Sequence, residues 1–98
     1  MYVDELETPS VLIDLERMER NLNRMQTYCN EHGLAFRAHI KTHKIPDIAR
    51  LQVDAGAVGI ACQKVSEAEV FVAAGFNDIQ IPYNIVGKQK TAKLADMA

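Results

Sequence analysis

Cysteine is scarce in this chain: Cys29 and Cys62 are the only two among 98 residues. They stand far apart, without metal-ligand spacing. That fits a reduced compartment and gives no sign of a disulfide framework. No apolar run is long enough to cross a membrane. The N-terminus, MYVDELETPS, is acidic and lacks the basic and apolar regions of a secretory signal. A cytoplasmic protein is the expectation. Positive charge is not in excess either: the formal net charge is −2. That leaves no basic stripe for nucleic acid. Low-complexity segments and long linkers are also missing. What remains is an ordinary globular composition, 48% hydrophobic and 24% charged, at the length of one small domain.

Strand-like and helix-like segments alternate along the chain. Val11-Leu12-Ile13 reads as a short apolar strand. Asp14 then offers an N-cap oxygen. Leu15, Met18, Leu22, Met25 and Cys29 recur at helical spacing, so Met18 and Met25 read as core, and Gly33 supplies a stop. A second strand spans about Phe36 to Lys41. Pro46 suits the first turn of the next helix, whose apolar face is Ile48, Ala49 and Leu51, and Gly56 ends it. Val58 to Cys62 is a third strand. Ser66 and Glu69 have the spacing of a capping box, and Glu67 and Glu69 suit the positive end of a helix dipole. Val70, Val72 and Ala73 carry that helix to Gly75. Ile79, Ile81 and Tyr83 alternate on a fourth strand, and Lys88 to Met97 begins another helix.

The expected order is therefore βαβαβαβα. A crossover helix between neighbouring strands forces parallel pairing. A (β/α)8 barrel needs about 250 residues, so three or four units would leave an unclosed core. The chain stops in a helical pattern, and we expect residues 1–98 to be the front of a longer polypeptide.

The stretch FRAHIKTHKIP carries the densest chemistry. Phe36, Ala38 and Ile40 occupy alternate positions and should pack against helices. Arg37, His39 and Lys41 should face the other way. Lys41 ends the strand at its C-terminal side, where α/β barrels and open α/β sheets place their active sites. A lysine partly desolvated at such a mouth is a candidate for Schiff-base chemistry. The plain alternative is a solvated or paired lysine. His39 and His43 could form a metal pair only if a turn brought them together, because four residues of extended strand span about 13 Å. Lys44 sits in the loop before Pro46 and reads as a surface charge or as a partner for an acidic or phosphate group. Cys62 has no base beside it and reads as a small buried residue rather than a nucleophile.

Four segments together resemble a known family. They are ETPSVLIDLERMERNLNRM, FRAHIKTHK, AGAVGIACQKVSEAE and IQIPYNIVG, in order from Thr8 to about Gly87. The chain resembles the D-threonine aldolase and D-serine dehydratase family, enzymes of the alanine racemase type dependent on pyridoxal 5'-phosphate (PLP). The H-x-K-T-H-K core at His39 to Lys44 is the most specific part. The family often has Pro before the His, whereas this chain has Ala38.

The resemblance implies the N-terminal part of a (β/α)8 TIM-like barrel, followed in the full polypeptide by a β-rich domain. Val11 to Ile13 would then lie outside the barrel, leaving Phe36–Lys41 as its first strand. It implies that Lys41 holds PLP as a Schiff base and moves protons at the substrate Cα. It implies less firmly that His39 and Arg37 lie beneath the cofactor, or form a structural network there, and that Gln63 and Tyr83 reach the site mouth. A divalent metal (Mn, Mg or Zn) is implied too, with ligands outside this segment, as is a homodimer at full length. The implied activity is retro-aldol cleavage of D-threonine-like β-hydroxy amino acids to glycine and an aldehyde. Dehydration of D-serine to pyruvate and ammonia, racemisation and non-catalytic PLP binding stand as alternatives. A small flavodoxin-like sheet used for protein interaction is the reading of a different class. The expected ligand is a small-molecule D-amino acid, with no nucleic acid or membrane partner.

Overall fold

The computed structural model describes residues 2–98. Four helices alternate with three strands: α1 (Leu15–Glu31), β1 (Arg37–His39), α2 (Pro46–Asp54), β2 (Gly59–Ala61), α3 (Val65–Ala73), β3 (Ile79–Gln80) and α4 (Lys88–Met97). Single 3-10 turns occupy Val3–Glu5 and Ile40–Thr42.

The strands form one parallel sheet in the order β1-β2-β3. Arg37, Ala38 and His39 pair with Gly59, Ile60 and Ala61. Ile60 and Ala61 then pair with Ile79 and Gln80. Crossovers between parallel strands are right-handed almost without exception. Strands laid down in sequence order therefore bring successive helices to the same face. The core shows this, since Ala49 of α2 and Ala68 and Phe71 of α3 bury against Ile40, Ile60, Cys62 and Phe76 in one cluster. Val53, Ile79, Ile81 and Met97 pack around it. Phe71 and Phe76 meet edge to face at 5.4 Å. The Arg50 guanidinium lies 4.0 Å from the centre of the Phe76 ring. One-sided winding is the barrel pattern. A doubly wound, flavodoxin-like sheet would need a reversal of strand order and helices on both faces.

Helix starts follow local chemistry in two cases. Asp14 accepts from the Arg17 amide at 2.9 Å and caps α1. Pro46 opens α2, where its missing N–H costs nothing. α3 differs from the expected capping box. It begins at Val65 with Lys64 as N-cap, so Ser66 is already inside the helix. Glu69 pairs instead with Lys93 of α4 at 3.0 Å.

Three strand expectations also change. Val11, Leu12 and Ile13 form no strand. They are exposed (96% for Val11) and have no ladder partner among the described residues. β1 stops at His39, because the backbone bonds turn inward there. The His39 ring accepts from the Lys41 amide at 3.3 Å, and the amides of His43 and Lys44 both return to the Ile40 carbonyl. Such local bonds compete with a strand ladder. β3 stops at Gln80, and Pro82 has no N–H with which to extend the pairing. In α1 the expected apolar face is only partly used. Leu15 and Met25 are exposed, whereas Gln26 and Cys29 are buried.

Candidate active site

The C-terminal ends of the three strands lead to the residues of interest. Lys41 follows β1 in the 3-10 turn, Gln63 follows β2, and Tyr83 lies three residues beyond β3. The sequence alternation holds through the end of β1. Ala38 and Ile40 are buried against the helices, Arg37 and His39 are half-buried on the other face, and Lys41 is exposed. Because the turn replaces the last strand residues, Lys41 stands just beyond the sheet edge rather than on it. Its ammonium has no hydrogen-bonding or ionic partner among the described residues.

His39 is fixed by its neighbour. Its Nδ1 accepts from the Lys41 amide, so the ring proton of the neutral form sits on Nε2. That Nε2 is buried and has no partner among the described residues. A buried donor without an acceptor is costly. The His39 and Tyr83 ring centres are 6.2 Å apart and tilted. Tyr83, Gln63, Lys64, Asn84 and Lys90 help to line a cavity of about 350 Å³ between the starts of α3 and α4. The unsatisfied imidazole donor and the phenol ring thus approach each other at the strand ends, with Lys41 exposed in the turn just after β1.

Arg37 does not share that mouth. It begins β1 at the opposite end, and its guanidinium reaches across β2 to the Asp78 carboxylate at 2.7 Å and to the Asp78 carbonyl at 3.3 Å. The hydrogen bond from Arg37 is the main cause holding the Asp78 carboxyl below its usual range. Gly59 makes the crossing possible. A Cβ there would lie 2.6 Å from the Asp78 carbonyl oxygen and collide with the Arg37 guanidinium.

His43 turns away from His39. Its Nδ1 accepts from the Ile45 amide at 3.0 Å, which leaves Nε2 to donate to Gln52 at 3.2 Å. Burial lowers its pKa against the opposing pull of these two hydrogen bonds. With both nitrogens engaged, His43 is not poised to share an ion with His39. Among the described residues no group of three or more His, Cys, Asp or Glu could hold a metal.

Lys44 has an acidic partner. Its Nζ lies 3.1 Å from Oε1 of Glu67, which is buried in α3. The other Glu67 oxygen accepts from the Gln63 amide at 2.7 Å. Burial pushes the Glu67 carboxyl up. The Gln63 amide and the Lys44 and Lys64 charges outweigh it and hold it low. Cys62 is fully buried, and burial together with the Glu67 charge pushes its thiol up to about 11. It is a small buried residue, as its sequence context suggests. Glu67, Asp78 and Gly59 are the residues that sequence reasoning missed. Glu67 had a signal, since it shares a helical face with Ala68 and Phe71, both of which are buried.

The alanine racemase N-terminal domain family matches residues 13–97. The chain belongs to that family. It is 50% identical over 93 residues to a D-threonine aldolase of Arthrobacter sp, covering 95% of this chain and 24% of that protein. It is 40% identical over 96 residues to a 3-hydroxy-D-aspartate aldolase of Paracoccus denitrificans, covering 97% of this chain and 25% of that protein. Among solved structures, a D-threonine aldolase from Filomicrobium marinum superposes with a TM-score of 0.95 at 43% identity, over 98% of this chain and 26% of its own. The D-threo-3-hydroxyaspartate dehydratase of Delftia sp. HT23 does so with a TM-score of 0.89 at 38% identity, over 95% of this chain and 24% of its own. The chain therefore spans about a quarter of the length of these relatives. Its sheet is consistent with the first part of a (β/α)8 barrel.

Proposed function

We propose that residues 1–98 are the N-terminal portion of a PLP-binding (β/α)8 barrel. The whole polypeptide would be a PLP-dependent lyase acting on D-β-hydroxy amino acids. The observation that carries this reading is Lys41. It is an untethered primary amine at the C-terminal end of the first strand, in a chain half identical to a D-threonine aldolase.

The residues at the mouth fit PLP. Lys41 Nζ is free to bond covalently to its aldehyde carbon. The orphaned His39 Nε2–H is a donor that a buried heteroaromatic ligand would satisfy. Gln63 and Tyr83 stand at the rim. Arg37 is committed to Asp78 and would act as a strand clamp. When bound, PLP supplies an electron sink for negative charge at the substrate Cα.

Lys41, once released from the cofactor by the substrate amine, would serve as the proton carrier at Cα. In retro-aldol cleavage a base outside this chain would take the β-hydroxyl proton as the Cα–Cβ bond breaks, and Lys41 Nζ would deliver a proton to Cα. In dehydration it removes the Cα proton before the β-hydroxyl leaves. The same amine therefore serves both reactions. The groups that choose between them, and the ligands of any divalent metal, would lie outside this chain.

Cleavage of D-threonine is the first reading, on the strength of the D-threonine aldolase relative. Dehydration is the second, because the Delftia dehydratase is 47% identical over 74 residues. The full polypeptide with PLP and D-threonine should release glycine and acetaldehyde. Ammonia and a 2-oxo acid would select the dehydration reading instead. Borohydride treatment followed by peptide mapping should find the reduced cofactor on Lys41. Finding it on Lys44 instead, or on neither lysine, would overturn the assignment.

A further inference from the structure

Two lysines, Lys41 and Lys44, stand three residues apart where the chain leaves β1, and both are exposed primary amines. We propose that Glu67 is a positioning residue that decides which of them takes an aldehyde: it ties Lys44 down and leaves Lys41 free. This rests on the reading above, in which Lys41 anchors PLP.

Three observations carry it. First, Lys44 is held from both ends. Its amide donates to the Ile40 carbonyl at 2.8 Å, and its Nζ forms an ion pair with Glu67 Oε1 at 3.1 Å, a charge contact without hydrogen-bond geometry. Second, its backbone adopts φ 57, a left-handed conformation that lysine rarely takes. Such strain persists only where the surroundings impose it, and the bond from the Lys44 amide to the Ile40 carbonyl fixes the backbone at this point. Third, Glu67 is only 6% exposed, and its other oxygen is already bound to the Gln63 amide. Lys44 is therefore the cation in direct contact with a buried carboxylate, with Lys64 adding charge nearby.

The chemistry makes this selective. Attachment requires the lysine nitrogen to attack the aldehyde carbon, with the carbonyl oxygen leaving as water. For Lys44 to do so, its nitrogen must leave Glu67, and the buried carboxylate then keeps only the Gln63 amide and the Lys64 charge, which is unfavourable. Lys41 has no such tether among the described residues. Glu67 also joins the turn after β1 to the loop after β2. One carboxylate therefore links the Lys44 side chain to the Gln63 amide.

The test uses the full polypeptide with PLP and borohydride. Borohydride adds hydride to the attached carbon while the nitrogen takes a solvent proton, and a stable secondary amine remains for mapping. In the wild-type protein the adduct should sit on Lys41, in roughly tenfold or greater excess over Lys44. Glu67→Gln keeps an acceptor for the Gln63 amide but removes the charge, and Lys44 should then carry a share comparable with that of Lys41. Adding Lys44→Arg to Glu67→Gln should return all attachment to Lys41. An adduct confined to Lys41 in Glu67→Gln overturns the selection while leaving Lys41 as the anchor. No adduct on either lysine in the wild-type protein overturns the PLP reading and this inference with it.

A second measurement does not depend on the folding of the variant. In wild-type protein stripped of PLP, limiting formaldehyde with cyanoborohydride should methylate Lys41 several-fold faster than Lys44. Equal rates overturn the proposal.

Discussion

Arg37 and Asp78 close an ion pair at 2.7 Å across the width of the middle strand. The link joins the first residue of β1 to the residue just before β3, 41 positions away. The same guanidinium approaches the Ile60 carbonyl at 3.4 Å, so one side chain touches all three strands or their ends. Its route lies over Gly59, where a side chain would block it.

Gly59→Ala should therefore be disruptive even though alanine has ordinary backbone preferences. The added methyl would lie within 2.6 Å of the Asp78 carbonyl oxygen, which belongs to backbone and cannot swing aside. Overpacking of this kind costs about 1–3 kcal/mol. Chemical denaturation of the full polypeptide should show that loss. Asp78→Asn, which leaves the path open, should cost less. Equal costs for the two variants would mean that Gly59 is not there to let Arg37 pass.

Cys62 should be silent toward thiol reagents. With its thiol pushed up to about 11, roughly one molecule in a thousand is thiolate at pH 8, and the side chain is fully buried. Iodoacetamide should label it only as fast as the protein opens. Labelling of the native protein at the rate of an exposed cysteine would contradict the burial.

The layout of β1 and the start of α2 were readable because they rest on short-range pattern. The alternation in FRAHIK separates Ala38 and Ile40 from Arg37 and His39. Pro46 marks the start of α2, and glycines follow α2 and α3 where the chain turns into strands. What escaped depends on contacts between distant residues. Arg37 was a candidate for the cofactor floor because nothing nearby reveals Asp78 as its partner. Ser66 and Glu69 have capping-box spacing, but packing of Val65, Ala68 and Phe71 starts α3 one residue before Ser66. Val11 to Ile13 has strand composition but no neighbouring strand among the described residues, and β-propensity alone does not make a sheet.

His43 should make stability fall on mild acidification. Its folded pKa lies below the ordinary 6.5, so the fold favours the neutral ring. The unfolded chain then binds more protons as pH drops. The His43 contribution is complete above about 6.5 and is lost as pH falls from there through the folded value. The melting temperature of the wild-type protein should decline between pH 7 and pH 5.5. His43→Gln, which cannot titrate, should give a flatter profile over that range. Glu67 acts lower on the scale. Its depressed carboxyl contributes stability above about 4.5, which is lost only as pH falls through its folded value.

The two nitrogens of His39 should separate by mutation. Nδ1 organises the turn by accepting the Lys41 amide, whereas Nε2 carries the unsatisfied proton. Asparagine can accept an amide two residues on and so can imitate Nδ1, but it cannot reach where Nε2 stands. His39→Asn should therefore leave Lys41 as the borohydride-fixed lysine. It should also weaken PLP binding by about tenfold, the loss expected when one hydrogen bond of about 1.4 kcal/mol is removed. His39→Ala removes both roles, and attachment at Lys41 should become slow as well as weak. Equilibrium dialysis gives the affinity and stopped-flow absorbance gives the attachment rate. If His39→Asn binds PLP as tightly as the wild-type protein, the buried Nε2 proton serves something other than the cofactor.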